Sequence, residues 1–442
     1  MIIKNYNELA RTDLRKKALS IILSGVESVL PKNLLNKKIS FKNNFLQING
    51  EKFEIKGDIY IIGGGKSSGK MAEEIEKIIG LDRIKEGFIN DKIENNETKK
   101  IKVHKGGHPI PDESSIIGVK EIFNLTKNLK IEDTVICLLS GGGSALLEMP
   151  VEEISLQEIK ILVGLLLKSG AEVFEINIIR KHLSKIKGGK LLRYLQPARI
   201  ISLIFSDTID TEYDATASGP TSPDKSTFLD AYNILKKYNL IDKTPKKIIE
   251  YLYQNINSQE NETIKPMNPL LNNVHNFIIA DNSIALTAMK QSAVKLGYTN
   301  VRIITNKLKG ESKEIGKKMG KFFRGAKPGV YIYGGELTVT VNGGGKGGRL
   351  QEYTASLIPE ISSIKNCVTL SFGSDGVDFI NGIGGAIADN ETMEECINKN
   401  LDILTFIKNN NTYQLHKELK NIIKSDPTNT NVADLHVCII DN

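Results

Sequence analysis

The stretch that most constrains this chain is Asp58-Ile59-Tyr60-Ile61-Ile62-Gly63-Gly64-Gly65-Lys66-Ser67-Ser68-Gly69-Lys70-Met71-Ala72. A β-branched apolar run is cut by glycines, and apolar residues then resume with helical spacing at Met71, Ile75, Ile78 and Ile79. That pattern predicts a strand, a tight turn and a helix start, the first half of a βαβ unit. Glycines let backbone N–H groups approach a ligand, and a helix start adds partial positive charge, so the natural guest is an anion such as phosphate. Lys66 lies inside the turn, where its ammonium could reach that anion. Gly64 to Lys70 nearly fits a P-loop, but Met71 stands where a hydroxyl is needed for magnesium. Gly63, Gly65 and Ser68 fall one residue short of the dinucleotide fingerprint. A plain glycine turn with two solvated lysines is the competing reading.

A second turn of the same kind follows the apolar run Asp133 to Leu139: Ser140-Gly141-Gly142-Gly143-Ser144 leads into Ala145-Leu146-Leu147. Three consecutive glycines cost conformational entropy, which favours phosphate binding over an ordinary turn. Between the two turns, His108-Pro109-Ile110-Pro111-Asp112 makes a stiff loop that displays His108, with Asp112 or Ser114 placed to cap the next helix. A lone loop histidine is ordinarily a surface residue. Asn177 to Lys190 holds the densest cluster of cations, Arg180 among them, and reads either as a solvated helix face or as a grip for an acidic substrate.

The strand Arg199 to Phe205 ends in Ser206-Asp207. A carboxylate just past a buried strand sits where open α/β sheets bind ligands, so Asp207 is a candidate for a cation or a proton, or else a helix cap. Cys367 to Phe372 is a similar strand, running into Gly373-Ser374-Asp375. Val330 to Tyr333 reads as a strand, and Gly334-Gly335-Glu336 to Val341 alternates like a hairpin arm. Gly343, Gly345 and Gly348 complete G-x-G-x-x-G before Arg349, which on spacing alone admits a dinucleotide site and an oxidoreductase. Against that, Asp375 lies 32 positions beyond Gly343, longer than the usual gap of about 20.

Length and composition bound the rest. A chain of 442 residues predicts roughly two to three domains. The polar, asparagine-rich stretch 254–276 with Pro266 and Pro269 places the expected division at 1–258 and 259–442. The net charge of +7 comes from 59 basic and 52 acidic residues, and no basic block is interleaved with aromatics, which argues against nucleic acid as a partner. Cys137, Cys367, Cys396 and Cys438 are far apart and read as buried reduced thiols. No signal-like or membrane-length apolar run is present, so a cytoplasmic chain without membrane contact is expected. Taken together, glycine turns, Lys66, Arg349 and two strand-end aspartates form the kit of phosphoryl transfer: donors and cations around spread negative charge, and carboxylates for magnesium and for the attacking hydroxyl.

Co-linear motifs give this kit a family. Gly63-Gly64-Gly65-Lys66, Gly107-His108-Pro109-Ile110-Pro111-Asp112-Glu113, Ser140 to Leu147 and Arg180-Lys181-His182-Leu183-Ser184 resemble the glycerate 2-kinase family (MOFRL-type glycerate kinases). So do Ala217-Ser218-Gly219-Pro220-Thr221, Gly334-Gly335-Glu336, Gly347 to Glu352 and Ser374-Asp375-Gly376-Val377-Asp378. The resemblance implies an α/β fold: a Rossmann-like parallel-sheet amino-terminal domain, a smaller α/β domain with a mixed sheet, and an active site in the cleft between them. It implies phosphorylation of D-glycerate at the 2-hydroxyl, with ATP and Mg2+ or another divalent cation. Lys66 and Arg349 would be the essential cations, and Asp207 and Asp375 the working carboxylates, one of them the metal ligand. Ser140, Gly141, Gly142, Gly143, Ser144, Gly334, Gly335 and Glu336 would meet the nucleotide, and Arg180 and His108 the glycerate. The chain departs from the family in having Leu350 for an asparagine, and Thr208-Ile209-Asp210-Thr211 for a proline–glycine turn. A hydroxypyruvate reductase using NAD(P) and a nucleotide-binding module without chemistry are the alternatives; a homodimer stays open.

Overall fold

The computed structural model describes residues 2–94, 96–208 and 216–441. Ile209, Asp210 and Thr211, where the chain departs from the family's turn, lie outside them. The chain forms two compact units, Leu34–Ser206 with Thr211–Ile279, and Met1–Asn33 with Asp207–Asp210 and Ala280–Asn442. The division thus falls at 279/280, not at 258/259, and the amino-terminal segment belongs with the carboxy-terminal half.

The reason for that second difference is packing. The helix Asp13–Ser28 is capped by Thr12, whose hydroxyl accepts the Arg15 N–H. Arg15 is fully buried and meets Asp389 at 2.5 Å, while the Thr430 hydroxyl bonds the Val29 carbonyl at 2.7 Å. Removing either partner of such a buried pair would leave a charge unsatisfied, so the helix is tied to this unit.

The first unit contains a three-stranded antiparallel meander, β1 (Ile39–Lys42), β2 (Phe45–Ile48) and β3 (Glu51–Glu54). The main sheet contains β4 (Ile59–Gly64), β5 (Ile84–Asp91), β6 (Ile101–Lys105), β7 (Thr134–Ser140), β8 (Arg199–Phe205) and β9 (Val274–Ala280), in the order β6-β5-β4-β7-β8-β9. Strands β6 to β8 run parallel. This is the Rossmann order, and its switch point falls between β4 and β7, where ligands of such sheets bind. Ile62, Val135, Cys137, Leu139, Ile200 and Ile204 fill its core, each worth roughly 1.5–3 kcal/mol on burial for the large aliphatics. The edge strand β6 is legible only weakly in sequence because it is short and half exposed. Strand β9 lies beyond the expected division at 258/259, yet hydrogen bonding to β8 makes it the last strand of the first sheet.

The second unit holds β10 (Val301–Glu311), β11 (Gly329–Thr338), β12 (Cys367–Gly373), β13 (Ile383–Asp389), β14 (Ile422–Lys424) and β15 (Asp434–Ile440), ordered β10-β11-β15-β12-β13-β14. Strands β10 and β11 are parallel and the other pairs antiparallel, so the sheet is mixed. Here the hairpin-arm expectation fails. Gly334 to Thr338 continues β11 without a turn, and the strand is buried through Gly335 because it lies between two neighbours. All four cysteines are buried and free. Among the described residues no single helix is long and apolar enough to cross a membrane.

Candidate active site

At the switch point of the first unit, the two glycine turns are bonded to each other. Strand β4 lies beside β7 in register, Gly64 opposite Leu139, which brings both strand ends level. The Lys66 N–H donates to the Gly141 carbonyl at 2.8 Å, and the Ser67 N–H donates to the Ser140 hydroxyl at 3.0 Å. Ser140 is fully buried and also pairs with Ser68 at 3.2 Å, so its side chain holds the two turns together. Gly142 has φ +82, and a Cβ there would lie 2.9 Å from both Lys66 Cγ and His108 Nε2. A glycine is therefore what allows Lys66 and His108 to converge on this turn. The His108 loop is itself fixed by Asp112, which caps the helix Glu113–Leu125 through Ser115 and accepts the Gly107 N–H at 3.0 Å.

The helix after Ser140–Ser144 spans only Gly143–Leu146, a single turn. Its dipole is correspondingly small, so little helix-end charge is available at this turn. Ser144 pairs with Ser218 at 2.8 Å, and the Ser218 hydroxyl donates to Asn177 at 3.2 Å. Ala217 and Ser218 have φ of +53 and +58, an uncommon pair of left-handed non-glycine residues beside the turn. Arg180, in the last turn of the helix Val173–His182, donates to the Ser144 carbonyl at 2.5 Å and meets Glu148 at 2.8 Å. Glu148 also holds Lys187 at 2.8 Å. Burial raises the Glu148 carboxyl, but Lys187 and Arg180 outweigh it and hold it below its ordinary range. Burial, with Arg180 adding repulsion, brings Lys187 down to about 8 against the pull of Glu148. Arg180 is thus an anchored guanidinium at the Ser144 turn, not a solvated face.

The second unit gathers charge at the ends of three adjacent central strands of its sheet. Strand β15 is antiparallel to both neighbours, so its first residue, Asp434, sits opposite the late residues Gly335 of β11 and Gly373 of β12. Glu336 and Asp375 follow those glycines directly or one residue on. Arg349 opens the helix Arg349–Ile361 and grips Asp434 with two bonds, Nε at 2.7 Å and Nη2 at 2.6 Å. Burial disfavours the Arg349 charge, yet Asp434, Asp378 and Glu336 more than offset it and hold the guanidinium protonated above its ordinary range. A quarter of its side chain remains exposed. Asp378 caps the same helix: its carboxylate accepts the Leu350 and Gln351 N–H groups at 3.1 and 3.0 Å and the Gln351 amide at 2.9 Å. Asp375 turns back on its own loop, accepting the Val377 N–H at 3.1 Å. Asp207 groups with this unit and accepts the Asn431 amide at 2.9 Å. Arg349, Glu336, Asp375 and Asp207 are therefore placed in one unit, and Lys66, His108, Arg180 and the Ser140–Ser144 turn in the other.

The Asp378 cap also bears on the Gly343–Gly348 spacing. A dinucleotide site needs that helix start for its pyrophosphate, and here an internal carboxylate occupies it. A Cβ on Gly348 would lie 2.3 Å from the Asp378 carboxylate, so this glycine serves the cap. Sequence reasoning passed over Asp434 altogether; a lone acid opening an otherwise apolar final strand was the available signal. It also passed over Asn282, whose amide bonds the Val432 and Asp434 carbonyls at 2.8 and 3.1 Å and so steadies the start of β15. Among the described residues no group of three acidic, histidine or cysteine side chains is arranged to hold a metal ion.

A Rossmann-ordered unit with a cationic switch point, joined in sequence to a mixed-sheet unit with an arginine–carboxylate pair, defines a two-unit α/β protein of one particular type. Residues 17–253 match the family described as "Domain of unknown function (DUF4147)", and residues 329–434 match the MOFRL family. The chain is 37% identical to the glycerate 2-kinase of Pyrococcus horikoshii over 97% of this chain and 98% of that one. It is 32% identical to the D-glycerate 2-kinase of Thermotoga maritima, again over 97% and 98%. The crystal structure of a Thermotoga maritima glycerate kinase superposes with a TM-score of 0.82 at 32% identity, covering 97% of this chain and 99% of that one. The chain belongs to the glycerate 2-kinase family.

Proposed function

We propose that this chain transfers the γ-phosphoryl group of ATP to the 2-hydroxyl of D-glycerate, giving 2-phosphoglycerate and ADP. The observation that carries the reading is the 37% identity to a glycerate 2-kinase along nearly the whole of both chains. The switch-point position of Lys66 supports it, because a fixed ammonium there suits the spread charge of a phosphoryl group in transit.

In this reading the glycerate 2-oxygen attacks the γ-phosphorus in line as the bond to the β–γ bridging oxygen breaks. Lys66 and Arg349 offset the charge that spreads over the three equatorial oxygens. One of Asp207 and Asp375 accepts the hydroxyl proton, and the other would hold the metal. Backbone N–H groups of Ser140, Gly141, Gly142, Gly143 and Ser144 meet nucleotide phosphates, with Gly334, Gly335 and Glu336 on the nucleotide as well. Arg180 and His108 orient the glycerate carboxylate. Magnesium would neutralise phosphate charge when bound. One or two carboxylates plus substrate phosphates are its usual ligands, so a single aspartate fits the role without a three-residue cluster.

The test is incubation with D-glycerate, ATP and magnesium, with the product read by phosphorus NMR. The 2-phosphate is expected. The 3-phosphate would overturn the regiochemistry and keep the kinase, and no phosphorylated product would overturn both. Hydroxypyruvate-dependent oxidation of NADPH would favour the reductase instead.

A further inference from the structure

The first unit contains a cavity of about 230 Å3 that none of the residues assigned to phosphoryl transfer lines. Lys190 lines it and is only 3% exposed. Its ammonium has neither a hydrogen bond nor an ion pair among the described residues. Buried lysines are rare unless paired. The two carboxylates that act on it, Glu262 and Asp224, have other partners: Glu262 meets His182 at 2.9 Å and Lys265 at 3.1 Å, and Asp224 meets Lys181 at 3.2 Å. Arg193, one helical turn on, lines the same cavity, and among the described residues its side chain donates only to the Glu262 carbonyl, at 2.9 Å. The remaining charges at the wall are Lys185, paired with Glu152 at 2.6 Å, and the exposed Glu153. Tyr251 lines it as well.

We infer that this cavity is a binding site for a small oxyanion, held between the Lys190 ammonium and the Arg193 guanidinium. The volume lies below the roughly 300–1,000 Å3 of sites for drug-sized ligands, so a single phosphate or carboxylate group fits where a nucleotide would not. Binding is linked to protonation. Burial first, and Arg193 next, push the Lys190 amine down to about 7, against the weaker pull of Glu262 and Asp224; Lys265 adds to the repulsion. An oxyanion at contact distance supplies the missing counter-charge and restores the proton, so the site takes up a proton as it fills.

Inorganic phosphate is the probe, titrated calorimetrically into the full chain near neutral pH in two buffers of different ionisation heat. The wild type should bind phosphate with net proton uptake. Lys190→Met should abolish the proton-linked component, and Arg193→Gln should weaken it about tenfold. Both variants should keep wild-type turnover of glycerate, and because the calorimetry needs no turnover, it stands or falls apart from the kinase reading. Equal affinity and equal proton uptake in wild type and Lys190→Met would overturn the site. Should Lys190→Met fail to fold, unchanged proton-linked binding in Arg193→Gln, an exposed position, would overturn it equally.

Discussion

Asp434 and Arg349 are joined by two parallel hydrogen bonds of 2.6 and 2.7 Å, although 85 positions separate them in sequence. The pair fixes the guanidinium in one orientation at the start of the central strand β15 while leaving part of it exposed. Asp434→Asn keeps the size of the side chain and removes its charge. Stability in urea should fall by about 1–3 kcal/mol, the cost of weakening a buried charged hydrogen bond. Turnover should fall as well, with the KM for ATP changed less than kcat. Wild-type kcat in a folded Asp434→Asn protein would remove the positioning role.

Replacing either proposed charge should act on the chemical step. Lys66→Ala and Arg349→Ala should each lower kcat by roughly two or more orders of magnitude, as loss of a preorganised charge does. Circular dichroism should show Lys66→Ala to be folded, since the backbone bonds from Lys66 to Gly141 and from Ser67 to Ser140 do not involve the lysine side chain. Near-normal steady-state turnover by either variant would withdraw its assignment.

The Asp378 cap gives a prediction about stability. Asp378→Ala removes the acceptor for Leu350 and Gln351 and should cost about 0.5–2 kcal/mol, the range for a lost helix cap. Gly348→Ala should resemble it, because the added methyl collides with the same carboxylate. Thermal unfolding of both variants checks this; an unaltered melting temperature in Gly348→Ala would show that the cap tolerates displacement.

Acid should destabilise the mixed-sheet unit through two buried histidines. Burial lowers His416 from 6.5 to about 4, although its bond to the Gln351 carbonyl pulls the other way. Burial and then Arg349 lower His436 from 6.5 to about 3. Both rings stay neutral in the folded chain, whereas the unfolded chain takes up protons below 6.5. The unfolded state therefore binds more protons, and folding stability should decline as pH falls from 6.5 towards 4 and on towards 3. Urea unfolding from pH 7 to pH 4 should show that slope, and His436→Gln should flatten it. A slope unaltered in that variant would exclude His436 as a source.

The strand–turn–helix pattern around Lys66 and the second glycine turn were legible because each is local. Apolar periodicity and a glycine run lie within about fifteen positions, and backbone sterics act over that range. The place of Asp207 and Asp375 past strand ends follows from the same local pattern, each coming after an apolar run. The division into units was misread because it depends on which surfaces bury one another. Arg15 pairs with Asp389, and β9 bonds to β8, across separations that no local pattern encodes.

By itself, the sequence determined the α/β class, the positions of the glycine turns and the residue types that can serve phosphoryl transfer. Only the tertiary structure decided that β15 enters the second sheet antiparallel between β11 and β12. That single insertion sets Asp434 beside Arg349, because strand register is settled by long-range hydrogen bonding and burial, not by the neighbours of a residue along the chain.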